Sequence, residues 1–167
     1  VQREQGITLE VAGLSIQLRV DRVDQLPNGS RVIIDYKSGP CTVQDWLGDR
    51  PARPQLLLYG SAAPDTAAAL AFAQVRARDC RYVGLGQVVA ANGISTDIAR
   101  AVKSRMMAQD WPSLNERWRE NLERLATAFV DGAAQVDPLT PSSCTWCGLQ
   151  PLCRVDMYKG VQEAAAE

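Results

Sequence analysis

Asp35 and Lys37 of IIDYKSG, together with Asp21 of LRVDRVD, are the residues whose types and spacing can do chemistry. On a strand, positions two apart share a face, so Asp35 and Lys37 point the same way. PNGS separates the two segments, and its Asn28-Gly29 pair is a strong hairpin signal. Folding there brings Asp21 and Asp35 within about one residue of register. Two ionised carboxylates that close repel, and one tends to protonate. A divalent cation such as Mg²⁺ or Mn²⁺ resolves the conflict and prefers oxygen ligands, with the Tyr36 backbone carbonyl a further candidate. Such a metal lowers the pKa of its water and neutralises charge on a phosphate. Lys37 can orient the resulting hydroxide or help remove its proton. That is the set phosphodiester hydrolysis requires. Asp and Lys two apart on a strand are commonly plain surface charges. Here an apolar run precedes Asp35, and interior charges are costly without partners. Asp24, beside the turn, reads as a structural partner for an arginine such as Arg22. Glu10 is a candidate for the site face of the first strand.

The elements that must position these residues follow from local patterning. ITLEV alternates over 7–11, Ala12-Gly13 turns, and LSIQLRVDRV returns, which predicts a hairpin. RVIIDYK is then a third strand, so 7–37 reads as a three-stranded meander. Its apolar lead-in suits a strand buried on both faces. Gly39-Pro40 ends it, Thr42–Leu47 suits a short helix, and the prolines of 50–54 mark a loop. Gln55–Ala62 reads as helix, and Pro64-Asp65 breaks it. Residues 68–77 fit helix or strand, with Leu70, Phe72, Gln74 and Arg76 favouring strand. Arg81–Val89 reads as another strand, ending at Asn92-Gly93. A late helix is expected from Ser113, capped by Ser113 and Glu116. Leu114, Trp118, Leu122, Leu125 and Phe129 form its apolar stripe, and Gly132 its end.

The chain has 167 residues, 46% of them hydrophobic. That supports one core and is short for two full domains. The net charge is −1 and the pI about 5.6. A free-standing DNA binder usually carries a basic footprint. DNA contact here therefore needs a local patch, for which Arg19, Arg22, Arg50 and Arg53 are nearest, or a neighbouring domain. No histidine is present. No apolar run long enough for a membrane span and no signal-peptide pattern is seen. Three of the five cysteines, Cys144, Cys147 and Cys153, form C-x2-C-x5-C. Without a secretory signal, that clustering points to metal more than to disulfides. Zinc would want a fourth Cys or His, which the cluster lacks.

LRVDRVD, IIDYKSG and PQLLLYG together resemble the RecB-like branch of the PD-(D/E)xK nuclease superfamily. The resemblance makes Asp21 the metal ligand of the first motif and Asp35 and Lys37 the second motif. Gln55 and Tyr59 match the third, four apart on one helical face. By analogy Gln55 orients Lys37 or a phosphate, and Tyr59 contacts the DNA backbone. Tyr59 also reads as a residue packing helix on sheet. Leu18 departs from the glycine often found there. SSCTWCGLQPLCRVD resembles the AddB-type cysteine tail, in which a [4Fe–4S] cluster takes its fourth Cys from far upstream. The family's helix-borne His also lies upstream. The resemblance therefore implies a fragment that begins after both, in which the cluster is incomplete. Cys41 and Cys80 are weaker candidates for the fourth ligand and read as bystanders. WRENLERLATAFVDGAAQVDP resembles the segment leading into the tail, so the likeness runs over about 7–158.

The expectation is an α/β, restriction-endonuclease-like mixed sheet flanked by helices. Residues 1–136 would form the nuclease core and 137–167 a cysteine tail of the same domain. The implied function is a Mg²⁺- or Mn²⁺-dependent deoxyribonuclease, of exonuclease type, in a cytoplasmic DNA repair or recombination protein. The implied partners are DNA ends or single strands and a helicase domain or subunit. A catalytically inactive DNA-end-binding or scaffolding module is the alternative, and a zinc-ribbon module a third reading.

Overall fold

The turn at Ala12-Gly13, both at positive φ, closes the first hairpin between β1 (Gln2–Val11) and β2 (Leu14–Gln25). β1 begins at Gln2, earlier than the alternation of 7–11 suggests. β3 (Arg31–Lys37) pairs antiparallel with β2, completing the expected meander. The computed structural model describes residues 1–63, 67–102, 108–145 and 147–154, without the side chains of 2, 3, 5 and 141. The break at Pro64-Asp65, the end of the family likeness beyond residue 154 and the chain end at 161–167 lie outside the described residues. So does Trp146 of the cysteine motif.

The β2–β3 turn differs in detail from the expected two-residue form. Gly29 N–H donates to Leu26 O at 2.9 Å and Leu26 N–H to Ser30 O at 2.8 Å, so Pro27-Asn28 occupy its centre. Gly29, at φ +85, supplies the left-handed residue that follows. Proline pre-set at the first central position explains the choice. The consequence is register: Arg22 faces Ile34 and Gln25 faces Arg31.

After β3 the chain makes a 3-10 turn (Val43–Trp46), capped by Thr42, then α1 (Gln55–Ala62). It returns as β4 (Ala67–Arg76), parallel to β3. β5 (Asp79–Gly86) pairs antiparallel with β4, and β6 (Ile94–Ser95) closes the sheet. The order is β1-β2-β3-β4-β5-β6. β5 ends at Gly86, short of the expected Val89. Residues 67–76 resolve to strand because eight of them are buried against both faces. Leu70 and Phe72 face the main core, and Ala69, Ala71 and Ala73 line the smaller cluster on the other face.

α2 (Ile98–Val102) precedes α3 (Trp111–Val130). α3 begins before the expected Ser113. Asp110 Oδ1 accepts from Ser113 N–H at 2.9 Å and acts as the cap, while Glu116 pairs with Arg119 instead. Leu114, Trp118 and Leu122 are buried as predicted, but Phe129 is 71% exposed. Gly132 at φ +79 follows the helix end. The main core lies between one sheet face and the helices, where Trp46, Phe72, Leu56, Leu57 and Trp118 meet. Trp118 Nε1 donates to Trp46 O, and Trp111 Nε1 to Ala67 O, each at 3.0 Å. A smaller cluster of Val32, Ile34, Ala69, Ala71 and Ile94 covers the opposite face. The chain is therefore an α/β protein with a mixed six-stranded sheet flanked by helices.

Residues 1–130 form one compact unit and 131–167 a second. In the second, a 3-10 turn (Pro141–Cys144) and one helical turn, α4 (Gln150–Cys153), carry Cys144 and Cys153, with Cys147 between the two. Among the described residues no helix is long and apolar enough to cross a membrane.

Candidate active site

β2 changes phase where the first candidate ligand sits. Alternation buries Val20 and then Val23, leaving Asp21 and Arg22 together between two core positions. Opposite them on β1, Glu4 adopts φ +51. This irregularity frees the Asp21 carboxylate to act across the ladder. Its Oδ2 accepts from Tyr36 N–H at 3.0 Å. One step beyond the Arg22–Ile34 pair, the same register places Asp21 opposite Asp35. A residue's N–H and C=O leave a strand on the same side, so the Tyr36 carbonyl also faces Asp21.

Asp35 is only 2% exposed. It lies on the Ile33 side of β3, toward the main core, with Lys37 beyond it on the same face. Lys37 Nζ stands 2.6 Å from Asp35 Oδ2. It also donates to Gln55 Oε1 at 3.4 Å and lies 5.9 Å from the centre of the Phe72 ring. Burial pushes the Asp35 carboxyl above its ordinary value, and the neighbouring Lys37 only partly opposes this. Asp35 Oδ2 is buried, and the Lys37 ammonium is the cation that meets it. A buried carboxylate with a single cationic partner is an expensive arrangement.

Gln55 and Tyr59 lie four apart on α1, as the spacing requires. Gln55 Nε2 donates to Tyr59 Oη at 2.6 Å, and Tyr59 Oη donates to Arg19 O at 2.5 Å. Tyr59 is 2% exposed, and burial raises its phenol pKa. Its hydroxyl is engaged inside the fold, so in this conformation it does not face outward to a DNA backbone. It instead ties α1 to β2 and holds the Gln55 amide toward Lys37. Asp21, Asp35, Lys37, Gln55 and Tyr59 are thus brought together.

Asp24 holds Arg22 through two contacts of 2.8 and 2.6 Å, the structural role expected of it. Glu10 is not part of this group, since it pairs with Ser15 at the far end of the first hairpin. Arg19 and Arg53 are ion-paired to Glu4 and Asp45. Gln74 is a neighbour that motif reading misses. It is 1% exposed and sits in register beside Lys37. It accepts from Cys41 Sγ at 3.5 Å and donates to Asp79 at 3.2 Å. The available signal is an amide ending the buried run AALAFA. Burial raises the Cys41 thiol, the behaviour of a packed bystander.

Two carboxylates, one of them buried, and a carbonyl on the same side fit an oxygen-preferring divalent cation. Asp21, Asp35 and the Tyr36 carbonyl would hold it. Among the described residues no three Asp, Glu, His or Cys side chains converge, so the remaining positions would fall to water or substrate. In the tail unit Cys144 and Cys153 are half-buried, Cys147 is exposed, and all are free thiols. Among the described residues these three do not converge into a metal-holding group.

No curated protein and no solved structure gives a significant match to the chain. The family model of the PD-(D/E)XK nuclease superfamily, whose members are generally nucleases that typically use divalent metals, matches residues 1–154. With that match spanning the sheet, the paired carboxylates and the helix behind them, the chain belongs to the PD-(D/E)XK nuclease superfamily.

Proposed function

We propose that this chain is the nuclease core of a RecB/AddB-like DNA repair or recombination protein, hydrolysing DNA phosphodiesters as an exonuclease. The observation that carries the reading is the buried Asp35 carboxylate 2.6 Å from Lys37 Nζ, with Asp21 across the strand. Mg²⁺ or Mn²⁺ bound there would supply an activated water and charge neutralisation at the phosphate. The chain's own residues do the rest. Asp21 and Asp35 bind the cation. Lys37, held by Asp35 and Gln55, presents its ammonium toward the attacked phosphate or its nucleophile. Tyr59 keeps Gln55 in place. The near-neutral net charge supports dependence on a partner that delivers DNA, such as a helicase domain or subunit.

The cysteine tail would belong to the same domain and bind a [4Fe–4S] cluster with a fourth Cys from outside the tail. Iron and sulfide analysis of anaerobically purified protein tests this. Brown protein with both elements, lost in Cys147→Ala, supports it, whereas stoichiometric zinc without iron defeats it. The nuclease reading is tested by degradation of linear DNA with Mn²⁺ or Mg²⁺. Removal of a catalytic group should cost Lys37→Ala at least ~100-fold in rate. Equal cutting by parent and variant would remove Lys37 from the site.

A further inference from the structure

The face of β3 turned away from the carboxylates carries a second feature. Successive strand residues point to opposite faces, so Tyr36, between Asp35 and Lys37, faces away from both. The register across three strands reads Tyr36, Ala73, Tyr82. Two tyrosines therefore flank one alanine on the same sheet face. At about 4.8 Å per strand, their Cα atoms are roughly 10 Å apart. Two rings each in van der Waals contact with a flat guest need roughly 7–8 Å between them. Ala73 between them is small, and Tyr82, half-buried, packs against the cluster that contains Ala73. A cavity of about 410 Å³ lies there, lined by Tyr36, Ala73, Tyr82, Ala91, Asn92 and Arg81 among others.

The walls are held in place. Arg22, fixed by Asp24, donates to the Tyr36 hydroxyl at 3.4 Å. The loop carrying Ala91 and Asn92 is pressed onto Tyr82: a Cβ at Gly93 would lie 2.0 Å from the Tyr82 carbonyl oxygen. Gly93 O also accepts from Gly84 N–H at 3.0 Å. Tyr36 keeps 47% of its surface exposed. The arginines beside the cavity are paired, Arg22 with Asp24 and Arg81 with Asp79, so the aromatic faces carry the argument: an exposed aromatic over a cavity is the chemistry that stacks a base.

We propose that this cavity takes one unpaired nucleobase of single-stranded DNA, stacked between Tyr36 and Tyr82 over Ala73. The inference rests on the nuclease reading and names its substrate as a strand with a free base. β3 ends at Lys37, one residue past Tyr36, so a strand can round that end. Its phosphate then lies on the carboxylate face and its neighbouring base on the tyrosine face. A base held in a duplex stack cannot enter.

The test is binding of a single-stranded oligothymidylate carrying one 2-aminopurine, by the 167-residue chain in metal-free buffer, with the matching duplex alongside. Stacking should quench the 2-aminopurine in the single strand only. Loss of one stacked base should weaken binding roughly tenfold in Tyr82→Ala and in Tyr36→Ala, while Tyr82→Phe stays within about twofold. Tyr36→Ala alters an exposed side chain and keeps the test open if Tyr82→Ala fails to fold. Absence of quenching, or binding by both alanine variants within about twofold of the parent, overturns the proposal. Because no metal is present, the pocket and the nuclease reading fail separately. Cutting without quenching removes only the pocket. Quenching without cutting under Mn²⁺ supports the pocket and removes the nuclease reading.

Discussion

Asp21 Oδ2 takes the backbone N–H of Tyr36 at 3.0 Å, so a candidate metal ligand also closes the end of the β2–β3 ladder. The two roles separate by substitution. Asn keeps an acceptor for the Tyr36 N–H but loses the charge. Asp21→Asn should therefore unfold close to the parent temperature while its Mn²⁺ affinity, measured by calorimetric titration, falls at least ~10-fold. Asp21→Ala should in addition lose about 1 kcal/mol of stability. Unchanged Mn²⁺ affinity in Asp21→Asn would take Asp21 out of the ligand set.

Tyr59 links three groups that motif reading treats separately. Its hydroxyl donates to Arg19 O and accepts from Gln55, which in turn accepts from Lys37. Tyr59→Phe leaves a buried carbonyl and an amide N–H without that partner, costing about 1–3 kcal/mol. For a chain of this size the melting temperature should fall by roughly 2–10 °C. DNA cleavage should fall with it, with single-strand binding in metal-free buffer retained. A DNA-binding defect with normal melting would instead return Tyr59 to the substrate surface.

The β1–β3 meander, α1 and the grouping of Asp21, Asp35, Lys37 and Gln55 were legible because local rules govern them, whereas β6 was not foreseen and 68–77 fitted helix as well as strand. Period-2 alternation and turn residues set β1 to β3, and the i, i+4 spacing put Gln55 and Tyr59 together. The misses are tertiary. Pro27 moved the turn centre off Asn28-Gly29, which no dipeptide rule resolves when both signals are present. Asp110 displaced Ser113 as the α3 cap because Trp111 docks against Ala67, extending the helix backward. Phe129 has the correct spacing but lies past the end of the sheet-facing stripe, and periodicity carries no information about where a partner stops. Gln74 and the tyrosine pair across Ala73 depend on β3–β4–β5 register, which only the folded sheet supplies.

Trp46 and Trp118 meet edge-on with ring centres 6.2 Å apart, yet their indole N–H groups differ. Trp118 Nε1 reaches Trp46 O, whereas Trp46 Nε1 is buried without a partner among the described residues. Truncating either to Phe leaves a void. Only Trp118→Phe also strips a donor from a carbonyl, so it should be the costlier change by about 1 kcal/mol. Paired denaturant titrations measure the difference. Trp46→Phe as the more damaging variant would contradict the hydrogen-bond assignment.

Gly93 is demanded twice, by φ +93 and by the Tyr82 carbonyl in the place of its Cβ. Alanine there must push the 87–93 loop off β5, and strain of this kind costs about 1–3 kcal/mol. Gly132 is also left-handed, at φ +79, but has nothing within 4 Å of its would-be Cβ. Gly132→Ala should therefore be the milder change. Thermal melts of the two variants check the order, and equal shifts would show that the loop yields without resistance.

Asp35 links pH to stability with a definite sign. Burial lifts its folded-state pKa above the ordinary 3.8, so between those two values the folded chain binds more protons than the unfolded one. Stability of the metal-free protein should then decline as pH rises through that window and level off above it. Asp35→Asn carries no titrating carboxyl, so the corresponding part of the decline should vanish. The variant should melt no lower than the parent at neutral pH, because a desolvated charge has been removed while Lys37, 26% exposed, keeps Gln55 and solvent as partners. Mg²⁺ works in the opposite direction. It binds the ionised carboxylate, so it should raise the parent's melting temperature at neutral pH, less so at acidic pH, and leave Asp35→Asn unmoved. Lys37→Ala should push the same carboxyl further up and steepen the decline, since the opposing cation is gone. Melting curves across pH, with and without Mg²⁺, read all of these, and identical pH profiles for parent and Asp35→Asn would show that the buried carboxyl does not titrate as its surroundings require.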